Sequence, residues 1–348
     1  MKKSLRSSLL AFTAALAVGL SAGLAQAAGE LNLYNWGNYT SPEMLAKFEK
    51  ETGIKVNVTD YDSNDTALAK IRAGGHGFDL VVPSANYVQI FASEGLIVEP
   101  GIPDMPNFKN IAPQWVDVAW DPGRKLTVPW QWGLTGIVVD TSLFKGDINT
   151  SAIFLDPPAE LAGKINVAPE MNDVLFATIR YMGGEWCSGD LEMLKKVRDK
   201  LVEAKPKWIA MDYGTIEKFA SRDYGAAYYW NGAAMRSREA NPDVRFGFPK
   251  EGFPFFMDSV ALLKDAKNVE NAKTFLNFIM APENAAMISE FAKYANGIAG
   301  SEAFMSEAMK TAPELTVPPE LQSAGVFLQA CPPEINELYT KIWTDVNK

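Results

Sequence analysis

The sequence predicts an α/β protein of two lobes, each a mostly parallel sheet flanked by helices, and three observations predict it. Residues 31–95 alternate strand-like and helix-like runs in βαβαβ order, which gives a largely parallel sheet. The chain has 348 residues, and about 320 remain once an amino-terminal leader is set aside, enough for two domains. Two apolar segments, near 130–135 and 250–256, read as crossings from one lobe to the other and back.

The leader is residues 1–27. Lys2, Lys3 and Arg6 form a basic start, Leu9 to Gly23 is an apolar run, and Ala25-Gln26-Ala27 fits a small-x-small cleavage site. A membrane-spanning helix is the alternative, but the run is short and ends in a cleavage signal. No cysteine follows the cleavage site, so no lipid anchor is indicated. The expected address is a bacterial periplasm.

Leu31-Asn32-Leu33 alternates and reads as the first strand. It runs into Tyr34-Asn35-Trp36-Gly37-Asn38-Tyr39. Ser41-Pro42-Glu43 then opens a helix, with a serine N-cap, proline at the first helical position and an acid in the first turn. That helix turns Leu45 and Phe48 inward and ends at Gly53. A strand at 54–58 and a helix at 65–73, ended by Gly74-Gly75, come next. Asp79-Leu80-Val81-Val82-Pro83 is a continuous apolar strand of the kind buried on both faces of a parallel sheet. A helix at 87–94 is closed by Gly95. Residues 101–126, rich in Pro, Asn and Trp, read as an irregular excursion. After a strand at 135–140, the second lobe is expected to hold strands at 164–168 and 226–230 and helices at 173–182, 191–204 and 214–221. The return segment reaches Leu262. Helices at 269–280 and from 282 to about 293 follow, then a tail that alternates helix and proline-rich loop.

Charge and chemistry narrow the function. The formal net charge is -9, and it becomes -12 without the three basic residues of the leader. That balance argues against nucleic acid and anionic lipid and is compatible with a cationic ligand. The single histidine, His76, reads as a surface loop residue. With one histidine and no cysteine cluster, Ser-His-Asp, Cys-His and His-metal centres cannot be assembled. Walker A and Gly-x-Gly-x-x-Gly patterns are absent. No cofactor or metal is expected. A carboxylate pair for glycoside hydrolysis stays open, because acids are abundant and their separations are unknown. Cys187 and Cys331 admit a disulfide in an exported chain, though sequence does not give the distance between them.

Aromatic side chains are in surplus, with 9 Trp, 11 Tyr and 19 Phe, too many to be read one by one as a site. Most fill cores. Those at strand ends and crossings stand apart: Trp36, Tyr39, Trp130, Trp132, Trp230, Phe255 and Phe256. Asn38, Asn231 and Asp258 lie close to three of them in sequence. An alkyl chain with ammonium ends needs this combination. Aromatic faces cover methylenes and attract the cation, while carboxylates and amide oxygens accept its N–H donors.

Four segments carry a family resemblance: Leu33-Tyr34-Asn35-Trp36 with Tyr39, Phe78 to Ser84, Tyr229-Trp230-Asn231-Gly232, and Phe256-Met257-Asp258-Ser259. In this order and spacing the chain resembles the periplasmic spermidine/putrescine-binding proteins of polyamine ABC importers, through essentially its whole mature length. The resemblance implies the type II periplasmic binding fold, with a ligand cleft between two lobes that close on it. Residues 28–132 with 255–300 would form one lobe, and 133–254 with 301–348 the other. It implies capture of a linear polyamine and delivery to permease subunits at the inner membrane, with no covalent chemistry. A monomer is expected. By the same resemblance, Trp36, Asn38 and Tyr39 line one wall, followed by Ser84 and Asn86. Glu170 and Asp173 supply a pair of acids, Trp230 and Phe256 cover methylenes, and Asp258 grips an amine. Tyr294 and Gln329 add contacts from later segments.

Two positions depart from the family. Position 38, usually acidic, is Asn38, which accepts a hydrogen bond but supplies no charge. Ala233 lacks an acid that some putrescine-binding members carry there. With Glu170, Asp173 and Asp258 retained, charge is spread along a longer ligand, which favours spermidine slightly over putrescine. Alternatives remain: an amine with a modified or guanidinylated end, an amino acid or an opine-like compound on the same fold, or an exported carboxylate-pair glycosidase. An anionic ligand would want an arginine in the cleft, and sequence alone does not place Arg180, Arg222, Arg236, Arg238 or Arg245 there.

Overall fold

The computed structural model describes residues 29–348, so the predicted leader lies outside the described residues. Strand β1 (Glu30–Trp36) buries Leu31 and then every residue from Leu33 to Trp36. Helix α1 (Pro42–Thr52) begins where its sequence predicts. Ser41 accepts a hydrogen bond from the Met44 amide, and Gly53, at φ 71°, closes the helix through its amide on the Glu49 carbonyl. Its inward residues are Met44 and Phe48, while Leu45 is half-buried. β2 (Lys55–Tyr61) and α2 (Asn64–Arg72) follow, with Ser63 capping α2. The apolar run at 79–83 yields only β3 (Leu80–Val81), since Pro83 has no amide for a longer ladder. α3 (Ala85–Ser93) and β4 (Ile97–Val98) complete this part.

The crossing strand β5 (Thr127–Asp140) leads to α4 (Ala152–Leu155), β6 (Ile165–Val167), α5 (Met171–Tyr181), α6 (Leu191–Ala204), α7 (Ile216–Ala220), β7 (Ala226–Trp230), α8 (Asn231–Ala240) and β8 (Val244–Gly247). β9 (Phe253–Leu263) returns the chain to α9 (Val269–Ile279) and α10 (Pro282–Ala292). The tail holds α11 (Glu307–Lys310), β10 (Gly325–Phe327) and α12 (Pro333–Val346).

The strands run in the order β2-β1-β3-β9-β5-β7-β6. The outer strands pair in parallel, β2 and β3 on β1 and β6 on β7. The two long strands are antiparallel to each other and to β3 and β7, because one carries the chain out and the other carries it back, while β10 adds to β9 in parallel. β5 joins the halves: residues 127–134 pair with β9 and residues 135–139 with β7. One apolar core includes Leu33, Phe48, Phe91, Val260 and Phe275. A second includes Ile137, Phe154, Leu175, Leu201 and Tyr339.

Two local features differ from the sequence reading, and the disulfide that the sequence admits is formed. α8 is an extra helix, and its start, Asn231-Gly232, has poor helix propensity. Tertiary packing compensates, burying Ala233, Ala234, Met235 and Ser237. His76 is not a bare surface residue. Its ring stacks on Phe78 with centroids 5.4 Å apart, and its Nε2 lies 3.3 Å from Asp265. Finally, Cys187 in the α5–α6 loop is bonded to Cys331, just before α12, with Cα atoms 5.2 Å apart.

The disulfide joins positions 144 residues apart, so it constrains the unfolded chain strongly. Thiol titration in denaturant without reductant is expected to find no free thiol, and reduction to lower the unfolding free energy by about 2–4 kcal/mol. Two titratable thiols per chain would contradict the pairing.

Candidate ligand-binding site

Parallel strands deliver ligand contacts at their carboxyl ends, and four strands do so here. β1 ends in Trp36, and Tyr39 lies in the loop beyond. β3 leads to Ser84, β6 leads to Glu170 and Asp173, and β7 ends in Trp230. β9 passes between them and contributes Phe255, Phe256 and Asp258. All of these line one cavity, together with Asn64, Ala85, Asn86, Tyr213, Arg236, Tyr294 and Leu328. The cavity volume is about 600 Å³, open solvent at its mouth included.

Its walls are aromatic. The Trp36 and Trp230 rings meet edge-on with centroids 5.9 Å apart, and Tyr213 lies 5.5 Å from Trp230. Each tryptophan is held by its indole N–H. Trp36 donates to the Val82 carbonyl at 3.0 Å, and Trp230 donates to Asp173 Oδ2 at 3.2 Å. Tyr294 meets both Tyr39 and Phe256 edge-on. A Cβ on Gly232 would stand 2.5 Å from the Tyr294 ring, so the close approach of that ring to α8 requires glycine.

Three carboxylates complete the lining. Asp258 accepts from Ser84 Oγ at 2.6 Å and from the Tyr39 hydroxyl at 2.9 Å. Ser84 occupies the N-cap of α3, where a serine normally accepts from the helix amides. It makes no capping bond, because its hydroxyl is turned to Asp258. Asn64 supports both sides: its Nδ2 donates to Ser84 Oγ at 3.0 Å and its backbone amide to Glu170 Oε2 at 3.2 Å. Asp173 accepts from Thr135 Oγ1 at 2.5 Å and from Trp230. Every one of these donors is neutral. Among the described residues, no Lys, Arg or His nitrogen lies within 4.0 Å of any of the three carboxylates.

Burial therefore dominates their ionisation. It pushes Asp258 up to about 7 against the pull of Ser84 and Tyr39, and Asp173 up to about 6 against Thr135 and Trp230. Glu170 is raised well above the usual carboxylate range, by burial first and by the charges of Asp173 and Asp65 second. Asp173 stands in the first turn of α5, where the helix dipole favours a negative charge. Desolvation outweighs that help.

The cavity gathers Trp36, Tyr39, Ser84, Asn86, Glu170, Asp173, Trp230, Phe256, Asp258 and Tyr294 from the sequence-based set. It does not include Asn38 or Gln329. Asn38 adopts a left-handed turn at φ 54°, its side chain is exposed, and its carbonyl accepts from Arg236 at 3.1 Å. Gln329 is also exposed, with its carbonyl on the Trp186 indole, and its neighbour Leu328 reaches the cavity instead. Asn64, Tyr213 and Arg236 belong to the lining without having been read from sequence. Asn64 opens α2 and Arg236 rides on the extra helix α8. Tyr213 lies in an irregular loop, with its hydroxyl on the Gly37 carbonyl at 2.7 Å. A tyrosine before Gly214 was the one signal available there.

The profile of the bacterial extracellular solute-binding proteins matches residues 43–317. The chain belongs to that family. This solute-binding protein is 33% identical to the spermidine/putrescine-binding periplasmic protein of Escherichia coli, over 84% of each chain. It is 30% identical to a putrescine-binding periplasmic protein of Pseudomonas aeruginosa, over 99% of each. A solved Listeria monocytogenes structure described as a spermidine/putrescine ABC transporter superposes with a TM-score of 0.86 at 28% identity, covering 92% of this chain and 99% of that one. The protein is a periplasmic member of this polyamine-transport group, and its two-lobed α/β architecture is the group's. Both the Escherichia coli and the Pseudomonas aeruginosa relatives are named as polyamine-binding proteins of the periplasm.

The raised carboxylates link stability to pH. The folded values of about 6 and about 7 exceed the unfolded value of roughly 4. The empty native state thus holds extra protons, and the stability this contributes is full below about pH 4 and lost as pH rises through 6 to 7. Asp258→Asn removes one titration. It is expected to flatten the decline in melting temperature of the ligand-free protein between about pH 5 and 8. An unchanged slope in scanning calorimetry would argue against a raised Asp258.

Proposed function

We propose that this protein captures a linear polyamine in the cavity between its lobes and delivers it to the permease subunits of an ABC importer. It does so as a monomer, without chemistry on the ligand. The observation that carries this reading is the set of three buried carboxylates with no cationic partner within 4.0 Å among the described residues. A charge held out of water has to be paired, and an ammonium supplies both the charge and the N–H donors. The methylenes between ammonium groups fit a cavity walled by Trp36, Trp230 and Phe256. Each aromatic contact with a cation adds roughly 0.5–2 kcal/mol. Three carboxylates, not two, favour spermidine slightly over putrescine.

The lobes in this reading are residues 28–132 with 255–300 and residues 133–254 with 301–348, hinged at β5 and β9. Contacts between the two sets support a closed arrangement: Tyr213 donates to the Gly37 carbonyl, and the Asn64 amide donates to Glu170. Closure removes water and strengthens every ionic contact inside.

Calorimetry of the mature protein with putrescine, spermidine, spermine and agmatine tests the proposal directly. At least one is expected to bind, and the reading fails if none does. Asp258→Ala should weaken the best of them at least tenfold, because it leaves an ammonium unpaired in a closed site. Wild-type affinity in that variant would remove Asp258 from the site. Binding between about pH 6 and 7 should release protons, since the ligand requires the ionised carboxylates. Heats measured in buffers of different ionisation enthalpy would then differ, and identical heats would count against the carboxylates as the ammonium partners.

A further inference from the structure

The cavity carries both signs of charge: Glu170, Asp173 and Asp258 line it, and so does Arg236. Among the other arginines of this part of the chain, Arg180 pairs with Glu185, Arg222 with Asp140 and Asp243, and Arg238 with Glu314, while Arg245 meets only backbone carbonyls, of Pro242 and Val244. Arg236 has no carboxylate within 4.0 Å among the described residues. One terminal nitrogen donates to the Asn38 carbonyl at 3.1 Å, while Nε is buried with no partner. Its other neighbours are phenols, Tyr213 and Tyr294, whose ionisation its charge favours against their burial. Arg236 also borders a smaller adjoining cavity with Asn38, Thr215 and Tyr229, and none of the three carboxylates reaches that second space. The guanidinium therefore stands at the partition between the two spaces, clear of Glu170, Asp173 and Asp258 on one side and of Glu217, which lines the second space, on the other.

An ammonium placed there would face a like charge. An oxygen placed there would satisfy the orphaned Nε–H, and a guanidinium edge is shaped to hold a carbonyl or carboxylate oxygen. We infer that Arg236 reads an oxygen at one end of the ligand, so that the preferred solute is a linear amine whose far end is acylated or carboxylated. The ammonium end lies among the carboxylates, the methylenes lie between the tryptophans, and the oxygen accepts from Arg236. This inference rests on the linear-amine reading of the cleft and specifies which linear amine it takes.

The test is calorimetry on the mature full-length chain with four probes: putrescine, spermidine, N-acetylputrescine and 4-aminobutyrate. Three of them share a four-carbon spacing and differ only at one end. At least one oxygen-ended amine is expected to bind tenfold or more tightly than putrescine. A preference for N-acetylputrescine identifies a neutral carbonyl, and a preference for 4-aminobutyrate identifies a carboxylate. Arg236→Gln should cut that preference at least tenfold. Arg236→Lys, which keeps the charge without the fork, should recover only part of it. Melting curves report whether each variant is folded, and the wild-type ranking decides the matter if one is not. If putrescine or spermidine outbinds both oxygen-ended amines, the inference falls and the polyamine reading stands. If none of the four binds, both fall.

Discussion

Asp258 is a carboxylate taken out of water and met only by neutral hydroxyls, and much of the site follows from that arrangement. Ser84 gives up the cap of α3 to reach it. Asn64 holds Ser84 in place and, through its backbone, orders Glu170 on the opposite wall. Neutral donors of this kind orient a carboxylate without neutralising it. They leave its charge available, at the cost of a raised pKa, to whatever cation enters. A lysine in the same position would occupy the charge that an incoming cation needs.

The aromatic lining has a related logic. Trp36 and Trp230 use their indole N–H groups on the protein itself, one on Val82 and one on Asp173, so their rings are fixed before a ligand arrives. Fixed walls lower the ordering cost of binding. They also set in advance the surface that a solute has to match.

Much of this was legible in the sequence because α/β folds place function at strand ends. Trp36 and Trp230 lie at strand ends that alternation or an apolar run marks locally, whereas Ser84, Glu170 and Asp173 came from the family resemblance. What was not legible depended on tertiary packing. α8 begins with Asn and Gly and exists because Tyr294 and the small residues behind it pack well, so Arg236 was invisible as a cavity residue. Tyr213 sits in a loop with no periodicity. Asn38 and Gln329 show the opposite failure. Each is adjacent in sequence to a cavity residue, yet a left-handed turn at 38 and an exposed tail at 329 carry their side chains elsewhere. The antiparallel run of the two long strands was likewise set by the return path of the chain, which no local pattern encodes.

The Tyr39–Asp258 hydrogen bond spans 219 residues of sequence, and Leu328 reaches the same cavity from near the carboxyl terminus. Recognition is therefore the last property the chain acquires. Contacts of such long range form slowly. A folding intermediate that has ordered Trp36 and Tyr39 without Asp258 and Leu328 holds one part of the lining and no receptor.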